Sequence, residues 1–193
     1  MDTNRPFHRP ALLLLVLAAI TTIVLGLVSP ASAAAPSCRT HWGSLAKGVS
    51  VVPPTAGAPL TGVRAGRHAC FDRLVIDVHG PRTGPAWQVR YVRGLTSDPT
   101  GFPVPLRGAA DLAITAGVSD HTEQGVPTYR PGNRAELVPV SGYRTFRQVA
   151  WAGSFEGLTT IGLGVRARLP FRVLVLPAGS SGARLVIDVA HTW

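Results

Sequence analysis

One stretch of the sequence gathers the side-chain types that hydrolytic chemistry needs. Asp120, His121 and Glu123 lie within four positions of one another, in a polar segment punctuated by glycine and proline. Such side chains can ligate zinc, and a carboxylate or imidazole can act as a general base. A loop of this composition is also typical of residues that simply face solvent. Metal-dependent hydrolysis is therefore kept as an alternative function that depends on these three residues alone.

Other signatures of exported hydrolases are missing from the sequence. It contains neither a Gly-x-Ser-x-Gly nucleophile elbow nor a His-Glu-x-x-His zinc helix. Ser44 and Lys47 have the Ser-x-x-Lys spacing of serine acyl-enzymes, but the companion Ser-Asp-Asn and Lys-Thr-Gly motifs are absent. We therefore expect no catalytic residues, no metal and no cofactor, and hence a protein that is not an enzyme.

Two arginines recur in the same local sequence. Arg73 precedes Asp77 by four positions, and Arg184 precedes Asp188 by the same spacing. In a β-strand, residues four apart lie on one face but need partners on a neighbouring strand to form ion pairs. The structural interpretation is a cross-strand Arg/Asp ladder, and the functional interpretation is an anion-binding face.

Four further side chains are candidates for ligand contact. His79 and His191 lie near the ends of the same two segments, and they would gather at one end of a sheet if the strands were neighbours. Hydrogen-bonded or exposed strand-end histidines are the simpler interpretation. Tyr129 and Tyr143 lie near predicted loops, where their rings could stack on sugars.

The elements that must position these residues are short strands. Segments with alternating or β-branched character recur between turn residues, which predicts an all-β fold: a β-sandwich of short, mostly antiparallel strands. The predicted strands cover residues 73–79, 87–92, 104–106, 111–116, 146–154, 158–165, 171–176 and 183–190. The longest interruption is a polar loop over residues 117–133.

One hexapeptide occurs twice. The sequence Arg-Leu-Val-Ile-Asp-Val fills residues 73–78 and again residues 184–189. Either two halves of the chain descend from a duplicated unit, or two strands occupy equivalent, adjacent places in a pseudo-symmetric sheet.

The N-terminus resembles a secretory signal. An n-region with two arginines precedes eighteen uncharged residues, 11–28, and small residues follow. We expect a signal peptide over residues 1–33, an arm over residues 34–59, and a folded domain over residues 60–193. The arm is rich in Pro, Ala and Gly and too poor in periodic apolar positions to contain a packed element. If the signal segment were retained, it would be the membrane anchor of an otherwise soluble chain.

Export implies an oxidising compartment, and the chain has two cysteines, Cys38 and Cys70. Their simplest state is one disulfide, which would tie the arm to the first strong strand and make Trp42 a candidate to cover one end of the sandwich. Lipidation of Cys38 is the competing interpretation, but it would leave Cys70 unpaired.

The formal net charge is +9. A polyanionic partner is electrostatically favourable, although the arginines are dispersed and no basic motif interleaved with aromatics argues for nucleic acid. For an exported chain, an anionic cell-wall polymer or lipid surface fits the compartment better than nucleic acid. A structural subunit that binds an envelope protein through a free sheet edge is a further alternative function.

Several separated runs carry a family resemblance. They start at Gly66, Gly153, Pro170 and Arg184, and read GRHACFDRLVID, GSFEG, PFRV and RLVIDVAH. In this order they resemble the AMIN-like domain of secreted bacterial proteins, over about residues 60–191. Members of the wider AMIN class are non-catalytic β-sandwich modules that bring amidases and secretin channels to the envelope, some by contacting peptidoglycan. The resemblance implies an extracytoplasmic envelope module, and it transfers no ligand residues.

Overall fold

The computed structural model describes residues 37–49 and 58–193, and these described residues form one compact unit. The expected signal peptide and the expected arm residues 34–36 and 50–57 lie outside these ranges. The described part forms twelve strands: β1 (Lys47–Gly48), β2 (Ala58–Arg67), β3 (Phe71–Val78), β4 (Trp87–Val92), β5 (Leu95–Thr96), β6 (Pro103–Val104), β7 (Ala110–Ala116), β8 (Val118–Ser119), β9 (Phe146–Phe155), β10 (Leu158–Val165), β11 (Phe171–Pro177) and β12 (Ala183–Ala190).

Ten of these strands form two five-stranded sheets, and β5 and β6 pair as a separate two-stranded sheet. Sheet 1 has the order β1-β4-β7-β10-β9, and sheet 2 has the order β11-β12-β3-β2-β8. All pairings are antiparallel except that of β2 with β8, so the all-β sandwich expected from the sequence is confirmed. Across the described ranges we find no helix, and hence none that could cross a membrane.

The core lies between the two sheets. Alternate residues of each strand point inward, as a period of two requires, and they form one continuous apolar cluster. Leu74 and Ile76 of β3 pack in this cluster with Leu112 and Ile114 of β7, and all four are almost completely buried. The remaining residues of each strand form the two outer faces of the sandwich.

The repeated hexapeptide pairs with its own copy. β3 and β12 are antiparallel neighbours at the centre of sheet 2, with Arg73 opposite Asp188 and Asp77 opposite Arg184. The expectation of two equivalent, adjacent strands is confirmed. The pairing relates them by a local pseudo-twofold axis between the two strands.

The arm is partly packed, which corrects the expectation that it contains no packed element. Within residues 37–49, Lys47–Gly48 forms β1 and pairs with β4 at the edge of sheet 1. The backbone N–H of Phe171 donates to the carbonyl of Gly43, and the predicted disulfide between Cys38 and Cys70 is confirmed. The arm therefore crosses from sheet 2 to sheet 1 as part of the domain.

Candidate functional site

Four arginines lie on the outer face of sheet 2, one from each of four adjacent strands. Alternation along the central strands directs Arg73 and Asp77 outward from β3, as it does Arg184 and Asp188 of β12. The flanking strands β2 and β11 add one arginine each. We call this surface the arginine face, and its charged residues are Arg64, Arg73, Arg172, Arg184, Asp77 and Asp188.

At one end of the arginine face, Asp188 is shared by two arginines. Arg73 donates from Nε to Oδ1 over 2.6 Å and from Nη2 to Oδ2 over 2.9 Å, and Arg172 donates from Nε to Oδ2 over 2.9 Å. Asp188 is fully buried although it lies on an outer face. Its hydrogen bonds raise the pKa of Arg73. This end stabilises the sheet, because the carboxylate is satisfied by two cations.

The arm covers this end. The guanidinium of Arg172 lies 4.4 Å from the ring centroid of Trp42, and Trp42 meets Phe71 edge to face at 5.7 Å between centroids. Trp42 therefore covers part of the outer face of sheet 2, as an extension of the cross-link at Cys38 and Cys70. The sequence predicts that Trp42 covers one end of the sandwich, whereas in the structure it lies over the outer face of sheet 2.

At the other end of the arginine face, the ion pairs are more exposed. Arg64 binds Asp77 through two hydrogen bonds of 2.7 and 2.9 Å, which raise the pKa of the arginine. Arg184 approaches the same carboxylate only to 3.7 Å, and its guanidinium makes no hydrogen bond within the described residues. The side chains of Arg64 and Arg184 are 54% and 45% exposed, so this end can bind a ligand from solvent.

Between the two ends lies a cavity of about 270 Å³. Its walls include Arg64, Arg73, Arg184 and His68, its floor includes Val75 and Val186, and no carboxylate lines it. Both valines are buried, although they belong to the outer face. The cavity is thus a recess with an apolar floor and arginines in its walls, which is the chemistry expected for binding an anion.

The two histidine candidates do not meet. Because β3 and β12 run antiparallel, His79 follows β3 at one end of the sheet and His191 follows β12 at the opposite end. The expectation that neighbouring strands would gather them is therefore wrong. His79 is exposed, whereas His191 is buried, with Nε2 3.1 Å from Oδ1 of Asp72 and Nδ1 3.2 Å from the carbonyl of Ala69.

The surroundings of His191 are structural. The second oxygen of Asp72 accepts the backbone N–H groups of Thr145 and Phe146 over 2.6 and 3.2 Å, and Asp72 is fully buried. The N–H of His191 donates to the carbonyl of Cys70. This network joins the end of β12 to the disulfide and to the start of β9, and it leaves His191 inaccessible to a large ligand.

The two tyrosine candidates lie apart from the arginine face. Tyr143 stacks on Phe146, with 5.8 Å between centroids, and lines a cavity of about 690 Å³ that also contains the ion pair of Arg107 with Glu136. Tyr129 lies 5.8 Å from Trp151, at the edge of sheet 1. Neither tyrosine belongs to the cavity between Arg73 and Arg184.

The candidate metal ligands Asp120, His121 and Glu123 do not form a cluster that could hold a metal ion. Oδ1 of Asp120 lies 2.7 Å from Nδ1 of His121, and Oγ of Ser119 lies 3.2 Å from the same nitrogen. Among residues 37–49 and 58–193, no three His, Cys, Asp or Glu side chains are close enough to hold a metal ion, and Glu123 does not join this pair. The arrangement also differs from a catalytic triad, in which serine and aspartate bind opposite nitrogens of the histidine ring.

Two members of the arginine face are not among the residues chosen from the sequence. Arg172 follows the inward Phe171 in a predicted strand, so alternation alone places it outward. Arg64 lies in β2, whose glycines and polar residues hide its strand character. The first could have been found from the pattern, but the second required the structure.

Comparison with known proteins agrees with the fold. No curated protein matches the chain significantly. The AMIN-like domain family matches residues 58–191, which is more than half of the chain and spans β2 to the end of β12. This range contains the four strands of the arginine face and the second cysteine of the disulfide. The chain therefore belongs to the AMIN-like family.

Proposed function

We propose that the protein is a non-catalytic module of the cell envelope whose arginine face binds an anionic wall polymer. The observation that carries the proposal is the cavity of about 270 Å³ lined by Arg64, Arg73, Arg184 and His68 with no carboxylate. The expected signal segment and the AMIN-like family support an extracytoplasmic location. Peptidoglycan carboxylates and wall phosphodiesters share the required negative charge.

Charge balance on the arginine face favours this function. Each aspartate is shared by two arginines, so each Arg/Asp cluster keeps one uncompensated positive charge. Arg184 is the most available of the four because it makes no hydrogen bond within the described residues and is 45% exposed. A guanidinium can bind carboxylate or phosphate through two parallel hydrogen bonds, which a compact ammonium cannot.

The geometry also suits a polymer rather than a single small anion. The two clusters lie four residues apart along the central strands, which corresponds to about 13 Å at about 3.3 Å per residue. A polymer with repeated negative charges can contact both clusters at once, and linked contacts strengthen one another through their effective concentration. The valine floor between the clusters adds apolar contact.

Sedimentation with purified cell walls tests the proposal. The protein should pellet with intact walls, and the bound fraction should fall when salt is raised from low to physiological concentration, because exposed charges are screened. Arg184→Gln should weaken binding about fivefold to tenfold, and Arg184→Glu should weaken it further. Arg90→Gln, which alters an exposed arginine of β4 on the other sheet, is the matched control and should bind like the wild type.

Walls stripped of their anionic polymers separate the two ligand classes. Retention that survives stripping indicates carboxylates of the peptidoglycan, and lost retention indicates the removed polymer. No retention on intact walls at low salt would contradict the proposal. Equal binding by wild type, Arg184→Gln and Arg184→Glu would show that the arginine face is not the contact surface.

A further inference from the structure

A second cavity, of about 400 Å³, lies away from the arginine face. The long polar loop that follows β8 folds back against β9, the edge strand of sheet 1. The side chains used below all line this cavity: Asp120, His121, Tyr129, Arg130, Arg134 and Trp151. The volume is within the range of small-molecule sites, and it can enclose a single sugar ring.

Backbone hydrogen bonds fix the loop in place. The N–H of Trp151 donates to the carbonyl of Arg134 over 2.7 Å, so the end of the loop continues sheet 1 beyond β9. The N–H groups of Thr128 and Tyr129 both donate to the carbonyl of Asp120, over 2.8 and 3.1 Å. The cavity is therefore a formed feature, although it is built from a loop.

One wall of the cavity is aromatic. The rings of Tyr129 and Trp151 lie 5.8 Å apart with an interplanar angle of 37°. Tyr129 is half-buried, and its hydroxyl has no hydrogen-bond partner among the described residues. Burial raises the pKa of Tyr129, so the hydroxyl stays neutral and can donate to a ligand.

The remaining polar groups favour an anion that also carries hydroxyl groups. Arg130 and Arg134 are exposed, and neither has a carboxylate partner in the part of the chain that the structure describes. The carboxylate of Asp120 is already directed to Nδ1 of His121 over 2.7 Å. Nε2 of the same ring makes no hydrogen bond among the described residues, and it can hydrogen-bond a ligand hydroxyl, which both donates and accepts.

We propose that this cavity binds a sugar ring that carries a carboxylate. Arg130 and Arg134 hold the carboxylate, Tyr129 packs against the apolar face of the ring, and Nε2 of His121 forms a hydrogen bond with a ring hydroxyl. This site shares no residue with the arginine face, so it is independent of the function proposed above.

Titration of the purified protein, followed by NMR, tests this site with two sugars that differ in one group. D-glucuronate carries a carboxylate where D-glucose has a hydroxymethyl group. Glucuronate should shift the Tyr129 ring and Trp151 indole resonances saturably, and glucose and inorganic phosphate should each bind at least about tenfold more weakly. Arg134→Gln should weaken glucuronate binding about tenfold or more.

Controls separate this site from general effects of charge. Arg82→Gln alters an exposed arginine with no described side-chain partner, and it should leave the titration unchanged. Arg184→Gln should leave it unchanged too, so failure here is distinct from failure of wall binding. An unchanged amide spectrum of Arg134→Gln in regions remote from the loop shows that the variant is folded.

Three outcomes would overturn the proposal. Glucose binding as tightly as glucuronate would remove the role of the carboxylate. Phosphate shifting the same resonances as strongly would indicate an anion site without ring recognition. Absence of any shift at Tyr129 and Trp151 with glucuronate would show that the cavity is not a site for such sugars.

Discussion

The outer faces of the two sheets differ in how they are covered. On sheet 1, small residues such as Gly162 and Ala113 let residues 95–107, which include β5 and β6, lie flat against the strands, with Leu95 and Leu106 packed over them. On sheet 2, the long side chains of the arginine face cover the strands instead. The chain itself thus covers much of one outer face, and charged side chains that can reach solvent cover much of the other.

The two sheets have the same number of strands, but their outer faces differ in how accessible they are to a large ligand. The covering segment removes the part of the outer face of sheet 1 over β7, β10 and β9 from contact with a large ligand, whereas Arg90 of β4 stays exposed. On sheet 2, the outward residues Val75 and Val186 are buried beneath the aliphatic parts of the arginine side chains, while guanidinium groups remain exposed. The arginine face therefore combines an apolar floor with accessible positive charge.

Removal of the disulfide should have the largest effect on stability, and it should act on sheet 2. Replacing Cys38 and Cys70 by serine together avoids a free thiol and should lower the free energy of unfolding by about 3 to 4 kcal/mol, because the bridge closes a loop with a sequence separation of 32. Urea denaturation measures the change.

The same double variant should retain wall binding below its melting temperature, because Arg64 and Arg184 are held by strand pairing rather than by the arm. A stability equal to that of the wild type would show that the arm does not support sheet 2. Loss of wall binding by the folded variant would show that the arm takes part in the contact.

Loss of the buried aspartate should be the next largest effect. Asp188→Ala leaves Arg73 and Arg172 without their shared carboxylate and should lower the free energy of unfolding by about 2 to 3 kcal/mol. This loss is at or below the lower limit usual for breaking a buried ion pair, because both arginines can turn toward solvent. Thermal or urea unfolding measures the cost.

Asp77→Ala is the matched control at the exposed end of the arginine face. Its carboxylate is 28% exposed, so its loss should cost less than about 1 kcal/mol. Equal costs for the two substitutions would contradict the division of the arginine face into a structural end and an available end.

A methyl group beneath the covering segment should lower the free energy of unfolding by less than the loss of Asp188 does. A Cβ at Gly164 would overlap the backbone carbonyl of Arg107, so Gly164→Ala should lower the free energy of unfolding by about 1 to 2 kcal/mol. Gly94→Ala, whose Cβ would meet open space, should stay within about 0.5 kcal/mol of the wild type. Both variants should bind walls normally, and a binding defect in a folded Gly164→Ala would show that the two faces are coupled.

Much of the strand content could be predicted from alternation. Three predicted strands, residues 87–92, 158–165 and 183–190, coincide with β4, β10 and β12. These segments are rich in β-branched and aliphatic residues and are bounded by glycine or proline. β2 was missed because Gly62 and Gly66 interrupt its pattern, and its pairing with β3 supplies what its own propensity lacks.

The candidate site was less accessible to prediction. Local sequence places Arg73 and Asp77 on one face, but it does not say which strand lies beside them. The loop that brings Tyr129 to Trp151 and the arm that brings Trp42 to Arg172 are likewise joined by contacts between distant positions. Such contacts depend on chain closure over long separations, which local propensity does not encode.

The sequence by itself determined the strand period, the pair of cysteines and the Arg-x-x-x-Asp spacing that puts opposite charges on one side of a strand. Only the tertiary structure decided that the two copies run antiparallel. That direction sets arginine opposite aspartate in both places and sends His79 and His191 to opposite ends. The physical reason is that side-chain alternation is a local property of an extended backbone, whereas strand direction and neighbours follow from burying both inner faces in one core.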